Sequence, residues 1–477
     1  MGCRLLVSME NTPCIAFVSK LAVNAMSLFP NLRRSAMTST RNEFSVAERA
    51  HRKSVVRLIP FLFVCYIFAY LDRINISFAK QQLSHALGLS DAAYGLAAGV
   101  FFVGYVLFEV PSNLLLARIG ARRTFGRILI LWGVVSVATS FVVGATSLQI
   151  MRFLLGVFEA GLAPGILFYL TLWFGPRQIG SVLAMFISST ALAGVIGAPL
   201  STLIMTYMDG KAGLMGYQWM FVIEGLPPIL LGLIAYATLP NRPAEARWLS
   251  DAEKLAIMSS LERPAPCIER TYSSPFRDPV VYAMSLCYFG FICGLYAITF
   301  WMPTFIANAG AGNLLETGLF GAIPYATAVV LMYVLARRSD IRRERIRHSA
   351  FPAVLAAVLL AIMVRFHGNF ALSMVCVSLA TGCIYAAYGV FWTIPSEYFA
   401  TNAAPGGFAF VNSIGLLGGL ASPTAMGWIK QVTGSLDYAF LAIAVVVLFS
   451  ALGLLALSGR LQGNPVKLTV AGPAGGQ

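Results

Sequence analysis

The chain has 477 residues, of which 58% are hydrophobic and only 11% charged, and its mean hydropathy is +0.75. Soluble domains are nearer a quarter charged, so this composition excludes an ordinary soluble fold and indicates an all-α integral membrane protein. The net charge of +14 does not indicate a nucleic-acid binder, because most Lys and Arg fall in alternate loops and no basic groove with stacking aromatics accompanies them.

Residues 1–56 form the first segment, expected to be a cytoplasmic N-terminal stretch that is disordered in part. Its apolar patch, CIAFVSKLAV, is too short to span a bilayer, and Met37 begins MTSTRNEFSVAERAHRK, which suits a short cytoplasmic leader. Apolar runs of about twenty residues follow, each long enough as a helix to cross ~30 Å of hydrocarbon. Twelve are expected, near 57–79, 92–116, 124–145, 147–173, 179–207, 219–239, 279–307, 315–336, 350–366, 370–396, 405–430 and 437–459. The alternating ten-residue pattern of a β-barrel is absent. The polar stretch 241–277 divides the spans six and six. A six-helix bundle over 57–240, a cytoplasmic linker, a second bundle over 278–460 and a tail over 461–477 are therefore expected. Ser250 with Glu253 makes a capping-box pattern, so a short helix should begin in the linker, with Trp248 and Leu249 beside it and Pro264 and Pro266 beyond it. The alternation of basic loops puts both termini in the cytoplasm.

Charges inside the spans carry the functional signal, because each is expensive in a bilayer and such groups usually line a polar pathway. In the first span Tyr66, Tyr70, Arg73 and Ser77 share one helical face, and Cys65, Ala69, Asp72 and Ile76 the next. Arg73 is expected to face a polar cavity, and Asp72 a helix–helix contact. In the fourth span Arg152 and Glu159 share a face but lie about 10 Å apart along the axis, so each needs another partner. Gly161 and Gly165 make a GxxxG pattern for close packing, and Pro164 should loosen the helix nearby. A guanidinium can grip a carboxylate through parallel hydrogen bonds, whereas burial and a neighbouring arginine act in opposite directions on a carboxyl group's hold on its proton. Arginine for an anion and Asp or Glu for a proton is the division of labour these types imply. Glu109, Glu224 and Glu397, nearer the span ends, are expected to be structural.

In the second half, Tyr288, Tyr296, Trp301, Trp392, Ser396 and Asn412 are the polar or aromatic candidates, and no ionisable residue lies near mid-span. Neutral substrate contacts are expected there, with Trp392, Ser396 and Asn412 foremost. The loops LARIGARRTFGR and LARRSDIRRERIRH occupy corresponding places in the two halves, as weak internal repeats do. Arg118, Arg122 and Arg123 in the first, and Asp340, Arg342 and Arg343 in the second, are candidate gating charges. The cysteines form no CxxC and the histidines no ligand spacing, so neither a disulfide framework nor a metal site is expected. No nucleophile–base constellation for an enzyme appears, and no cofactor is expected.

Taken together, the plan and the loops resemble the major facilitator superfamily, whose loop pattern after the second span is G-x-x-x-D-R-x-G-x-R-R. Here Asn113 and Ala117 stand in place of its Gly and Asp, while Arg118, Gly120, Arg122 and Arg123 match. Within that superfamily the chain is similar to the anion:cation symporter family. RLIPFLFVCYIFAYLDRINISFA, FEVPSNLLLARIGAR, RFLLGVFEAGLAPG, WMFVIEGLPP, RPAEARWL, FWMP and FVNSIGLLGG carry the resemblance. It implies two six-helix bundles and proton-coupled uptake, by alternating access, of a small organic anion such as a sugar acid, tartrate or an aromatic carboxylate. It matches Asp72 and Glu159 to proton sites, Arg73 and Arg152 to substrate contacts, and Tyr70 and Tyr105 to further binding positions. The implied setting is the bacterial inner membrane and the implied state a monomer. An exporter or antiporter of the same fold is the alternative. A channel would want a polar stripe from end to end, and a sensor an added soluble domain.

Overall fold

A computed structural model describes residues 45–175, 179–261, 278–366, 369–402 and 405–459, with some side chains near 180 and 400 excepted. The expectations for residues 1–44, for Pro264 and Pro266, for the tail and for the Glu397 side chain lie outside the described residues. The described chain is almost wholly helical, and twelve helical segments are long and apolar enough to cross a membrane.

The first helix, α1 (Val46–Leu87), has 42 residues and is longer than the apolar run predicts. At 1.5 Å per residue it measures about 63 Å, roughly twice the hydrocarbon thickness. Ser45 starts it with a capping box: its hydroxyl accepts from the Glu48 amide at 3.2 Å, and the Glu48 carboxylate accepts from the Ser45 amide at 3.0 Å. Gly88 ends it in the left-handed conformation, φ +62°. Then follow α2 (Asp91–Ile119), α3 (Ala121–Ala138), α4 (Ala145–Glu159), α5 (Leu162–Thr171), α6 (Ile179–Tyr207) and α7 (Gly216–Thr238). Extensive pairs in this set are α3 with α7, α2 with α4 and α1 with α6.

Small residues set the α2–α4 distance. A Cβ on Gly156 would lie 2.0 Å from the Phe101 carbonyl oxygen, and one on Gly104 would lie 2.4 Å from that of Phe153. Backbone faces backbone at both points, as in close-packed membrane helices. Gly156 sits between Arg152 and Glu159, so the packing also positions the charged residues. We expect Gly156→Ala to destabilise the folded protein by about 1–3 kcal/mol, the usual cost of overpacking. Thermal unfolding in detergent checks this, and an unchanged midpoint would refute the close approach.

The linker helix α8 (Asp251–Leu261) begins at Ser250, whose amide donates to Glu253 Oε2 at 2.9 Å while its hydroxyl accepts from the Glu253 amide at 3.3 Å. Glu253 also accepts from Lys53 Nζ at 2.8 Å, tying α8 to the start of α1. Beside that bridge Trp248 stacks on Trp173 at 5.6 Å, with the Arg57 guanidinium 5.4 Å from its ring centroid. The hydrogen bond from Lys53 holds Glu253 below the usual carboxylate range. A lowered folded-state value gives stabilisation that is complete above the ordinary carboxylate pKa, near 4.3, and is lost as pH falls through the lowered value. Glu253→Gln should remove that acid-side dependence at a cost below about 1 kcal/mol, since Lys53 is half exposed. Limited proteolysis of α8 against pH is the readout.

The remaining helices are α9 (Pro279–Ala309), α10 (Leu314–Arg342), α11 (Arg345–Met363), α12 (Phe370–Phe391), α13 (Thr393–Asn402), α14 (Pro405–Leu416), α15 (Gly418–Thr433) and α16 (Leu436–Ala456). Packing groups the described chain into two units, residues 45–261 with Phe300–Ala326, and residues 278–299 with 327–459. The later part of α9 joins the first unit through Tyr94, whose hydroxyl donates to the Phe300 carbonyl at 3.0 Å, and through Trp301, which lies 4.2 Å from Lys80 Nζ. Lys80 also pairs with Asp91 at 2.6 Å. The early part of α10 joins it where Tyr325 lies against Gly194 and where Gly318 meets Thr202. In the second unit α11 packs against α12 and α16, and Tyr288 lies over Gly415 at a distance that leaves no room for a Cβ.

Candidate functional site

One face of α1 presents Asp72 and Asn75, three residues apart, and Arg73 projects beside them. The surrounding helices supply the partners. Arg73 is 6% exposed, and Asp72, Arg152, Glu159 and Glu224 are each 1% exposed. Five ionisable side chains are thus removed from solvent within the first unit, where the cost of an unpaired charge is greatest.

Arg73 Nη2 forms an ion pair with Glu159 Oε1. This supplies the partner that the 10 Å spacing of Arg152 and Glu159 denied Glu159 within its own helix. The Arg73 guanidinium also lies 5.1 Å from the Phe101 ring centroid and 5.3 Å from that of Tyr105. Both rings come from α2, whereas the face pattern of α1 singled out Tyr66 and Tyr70. Tyr66 packs against Phe186 at 4.3 Å, and Tyr70 is buried one turn before Arg73. Arg152 places its guanidinium 5.3 Å from the same Phe101 ring, so one ring serves two cations. Arg152 Nη1 reaches the Asp72 carbonyl oxygen at a long 3.5 Å, while its Nε and Nη2 and the second Glu159 oxygen, Oε2, have no hydrogen-bond partner among the described residues. Each such buried group costs about 1–3 kcal/mol and favours a ligand that satisfies it.

The backbone near Glu159 contributes to this arrangement. The helix breaks just after it: Ala160 is extended, and Gly161 has φ +87° and starts α5. The break therefore falls three residues before Pro164, where a loosened helix was expected. Pro164 sits in the first turn of α5, where its missing N–H is harmless. Gly161 also allows close contact, since a Cβ there would lie 2.6 Å from Ser112 Oγ. Broken membrane helices of this kind leave backbone groups free near buried charges.

Asp72 points to the helix–helix contact that its face predicts. It accepts from Trp132 Nε1 at 2.5 Å, Ser136 Oγ at 2.5 Å and Asn75 Nδ2 at 2.9 Å. Asn75 Nδ2 donates as well to Glu224 Oε2 at 3.0 Å, and Ser201 Oγ donates to Glu224 Oε1 at 2.7 Å. Asn75, Trp132, Ser136, Ser201, Glu224 and Phe101 were not singled out as site residues. The i, i+3 spacing of Asp72 and Asn75 and the i, i+4 spacing of Trp132 and Ser136 were signals on their helices. Nothing local links Glu224 or Ser201 to them.

The structure brings Arg73, Tyr105, Arg152, Asp72 and Glu159 together. Trp392, Ser396 and Asn412 belong to the second unit. There Trp392 meets Tyr288 edge to face at 4.9 Å, the exposed Ser396 hydroxyl donates to the Trp392 carbonyl at 2.7 Å, and Asn412 is half-buried. Of the candidate gating charges, Arg122 is tied to the end of α7, its amide donating to Asn241 Oδ1 at 3.0 Å and its Nε to the Leu239 carbonyl at 2.8 Å. Arg118 and Arg123 are exposed at the α2–α3 junction. Asp340 pairs with Arg345, and Arg342 and Arg343 are exposed in the α10–α11 turn, where Arg343 adopts φ +54°. No group of three or more His, Cys, Asp or Glu able to hold a metal occurs among the described residues.

Residues 62–423 match the family described as Major Facilitator Superfamily. The chain is 39% identical over 414 residues to a Pseudomonas putida protein named as the metabolite transport protein NicT, covering 86% of this chain and 95% of that one. It is likewise 39% identical over 407 residues to an Agrobacterium vitis protein named as a tartrate transporter, covering 85% and 90%. Its fold matches the xylose transporter XylE of E. coli with a TM-score of 0.67 at 13% identity, covering 85% of this chain and 98% of that one.

Proposed function

The chain belongs to the Major Facilitator Superfamily, and we propose that it is a secondary transporter that takes up a small organic anion together with protons by alternating access. The observation that carries this reading is the buried Arg73–Glu159 ion pair beside Arg152, two of whose guanidinium nitrogens have no hydrogen-bond partner among the described residues. A carboxylate entering this site would find a second cation already desolvated and would compete with Glu159 for Arg73. Once displaced, Glu159 is a buried carboxylate that has lost its cation, and taking up a proton relieves that cost. Anion arrival and proton uptake thus become linked at one residue. The tartrate-transporter name of a relative supports a hydroxy-acid or similar substrate. Neutral contacts from Trp392, Ser396 and Asn412, gating by the basic loops, cytoplasmic termini, the bacterial inner membrane and a monomeric state complete the proposal.

Proteoliposomes of purified protein test it. A pH gradient, acidic outside, should drive accumulation of one member of a panel of tartrate, sugar acids and aromatic acids, and should not drive neutral sugars. Accumulation driven only by an outwardly directed proton exchange would establish export instead. Failure of every anion to move or to raise the unfolding temperature would refute the reading.

A further inference from the structure

Asn75 sits between two buried carboxyl groups. Its Nδ2 is 2.9 Å from Asp72 Oδ1 and 3.0 Å from Glu224 Oε2, so its two amide hydrogens serve one carboxylate each. Its own oxygen, Oδ1, is buried without a hydrogen-bond partner among the described residues. An amide is unusual in presenting donors at one end and an acceptor at the other, and the two ends differ only by rotation about the last side-chain bond. With nitrogen towards the pair, Asn75 suits two ionised carboxylates. Turned over, it suits two carboxylic acids. Ser201, which holds the other Glu224 oxygen, also serves either protonation state, because a hydroxyl both donates and accepts.

We infer that Glu224 is a positioning residue for proton coupling, acting through the Asn75 amide to set how readily Asp72, a second proton site beside Glu159, takes and releases a transported proton. The inference deepens the proton-coupled reading above and rests on it. The surroundings leave Glu224 few other influences. The face of α1 turned to it offers Asp72, while Arg73 is engaged with Glu159 and Lys80 with Asp91. From α3 the neutral Trp132 and Ser136 bond to Asp72 itself, and from α6 the neutral Ser201 approaches. No cation contacts the Glu224 carboxylate in a described hydrogen bond or ion pair. Counting the linked group, Asp72, Glu159 and Glu224 face only Arg73 and Arg152. With all five ionised the cluster carries one excess negative charge, which a buried site relieves by holding a proton. Ionisation of either member of the Asp72–Glu224 pair then opposes ionisation of the other.

The test is uptake into proteoliposomes as a function of external pH. Glu224→Gln keeps groups that Asn75 and Ser201 can bond but removes the charge, so the midpoint of uptake should move to lower pH by about one unit, the scale of a close like-charge effect. Asn75→Ala takes a donor from ionised Asp72 and should move the midpoint the other way, to higher pH, whether residue 224 is Glu or Gln. Ser201→Ala retains both carboxyls and carries the test if Glu224→Gln does not fold: its midpoint should shift measurably. As a readout independent of transport, infrared difference spectra of Glu224→Gln should keep the protonated-carboxyl band of Asp72 and show it titrating at lower pH, by the same amount as the uptake midpoint. Folded variants whose maximum rate falls while the midpoint stays where it is in the wild type would overturn the inference and leave proton coupling intact. A wild-type protein whose uptake ignores pH would overturn both.

Discussion

Arg73→Gln should abolish anion binding and uptake, with affinity falling by at least two orders of magnitude. Two losses combine. A charge-assisted hydrogen bond contributes about 1.5–3 kcal/mol, and an arginine offers a carboxylate two in parallel. The substitution also strands Glu159, now buried without its cation, at a cost of about 3–5 kcal/mol. Arg73→Lys should rescue little, because an ammonium cannot present the planar fork or lie as well over Phe101 and Tyr105. The second loss separates folding from binding. In Arg73→Gln/Glu159→Gln neither member of the pair is left as a buried charge without the other, so the unfolding temperature should recover much of the fall seen in Arg73→Gln while binding stays absent. Calorimetric titration and thermal unfolding in detergent give the two quantities. A single variant that binds within fivefold of the wild type would remove Arg73 from the site.

Glu159→Gln should eliminate accumulation driven by a pH gradient while preserving exchange of labelled for unlabelled anion. The amide cannot take up or release a proton, so the coupled step loses the carrier that responds to the anion, yet Arg73 is freed to hold a substrate carboxylate. Binding at neutral pH should therefore be equal to or tighter than in the wild type, and its dependence on pH should flatten. Loss of exchange together with accumulation would make Glu159 a structural anchor for Arg73. Retained accumulation would move the proton elsewhere in the cluster. The partnerless Oε2 of Glu159, next to a helix break, distinguishes it from Asp72, whose two oxygens already receive three donors.

Twelve membrane-spanning segments and the short capped helix after Ser250 follow from the sequence, because hydrocarbon thickness sets the length of an apolar run and a capping box is a matter of three residues. The burial of Asp72, Arg73, Arg152 and Glu159 is equally legible, because a charge inside such a run is costly to leave facing hydrocarbon wherever the helix lies. What these charges face is not local information. The Arg73–Glu159 pair joins residues 86 positions apart, Trp132 reaches Asp72 across 60, and Asn75 reaches Glu224 across 149. A helical wheel orders side chains around one axis and says nothing about which neighbour each face meets. For that reason the Phe101 ring emerges beside the Arg73 and Arg152 guanidinium groups only when α1, α2 and α4 are brought together. Glu224 joins the cluster for the same reason: the packing of α7 against α1 brings two distant carboxyls to a single amide.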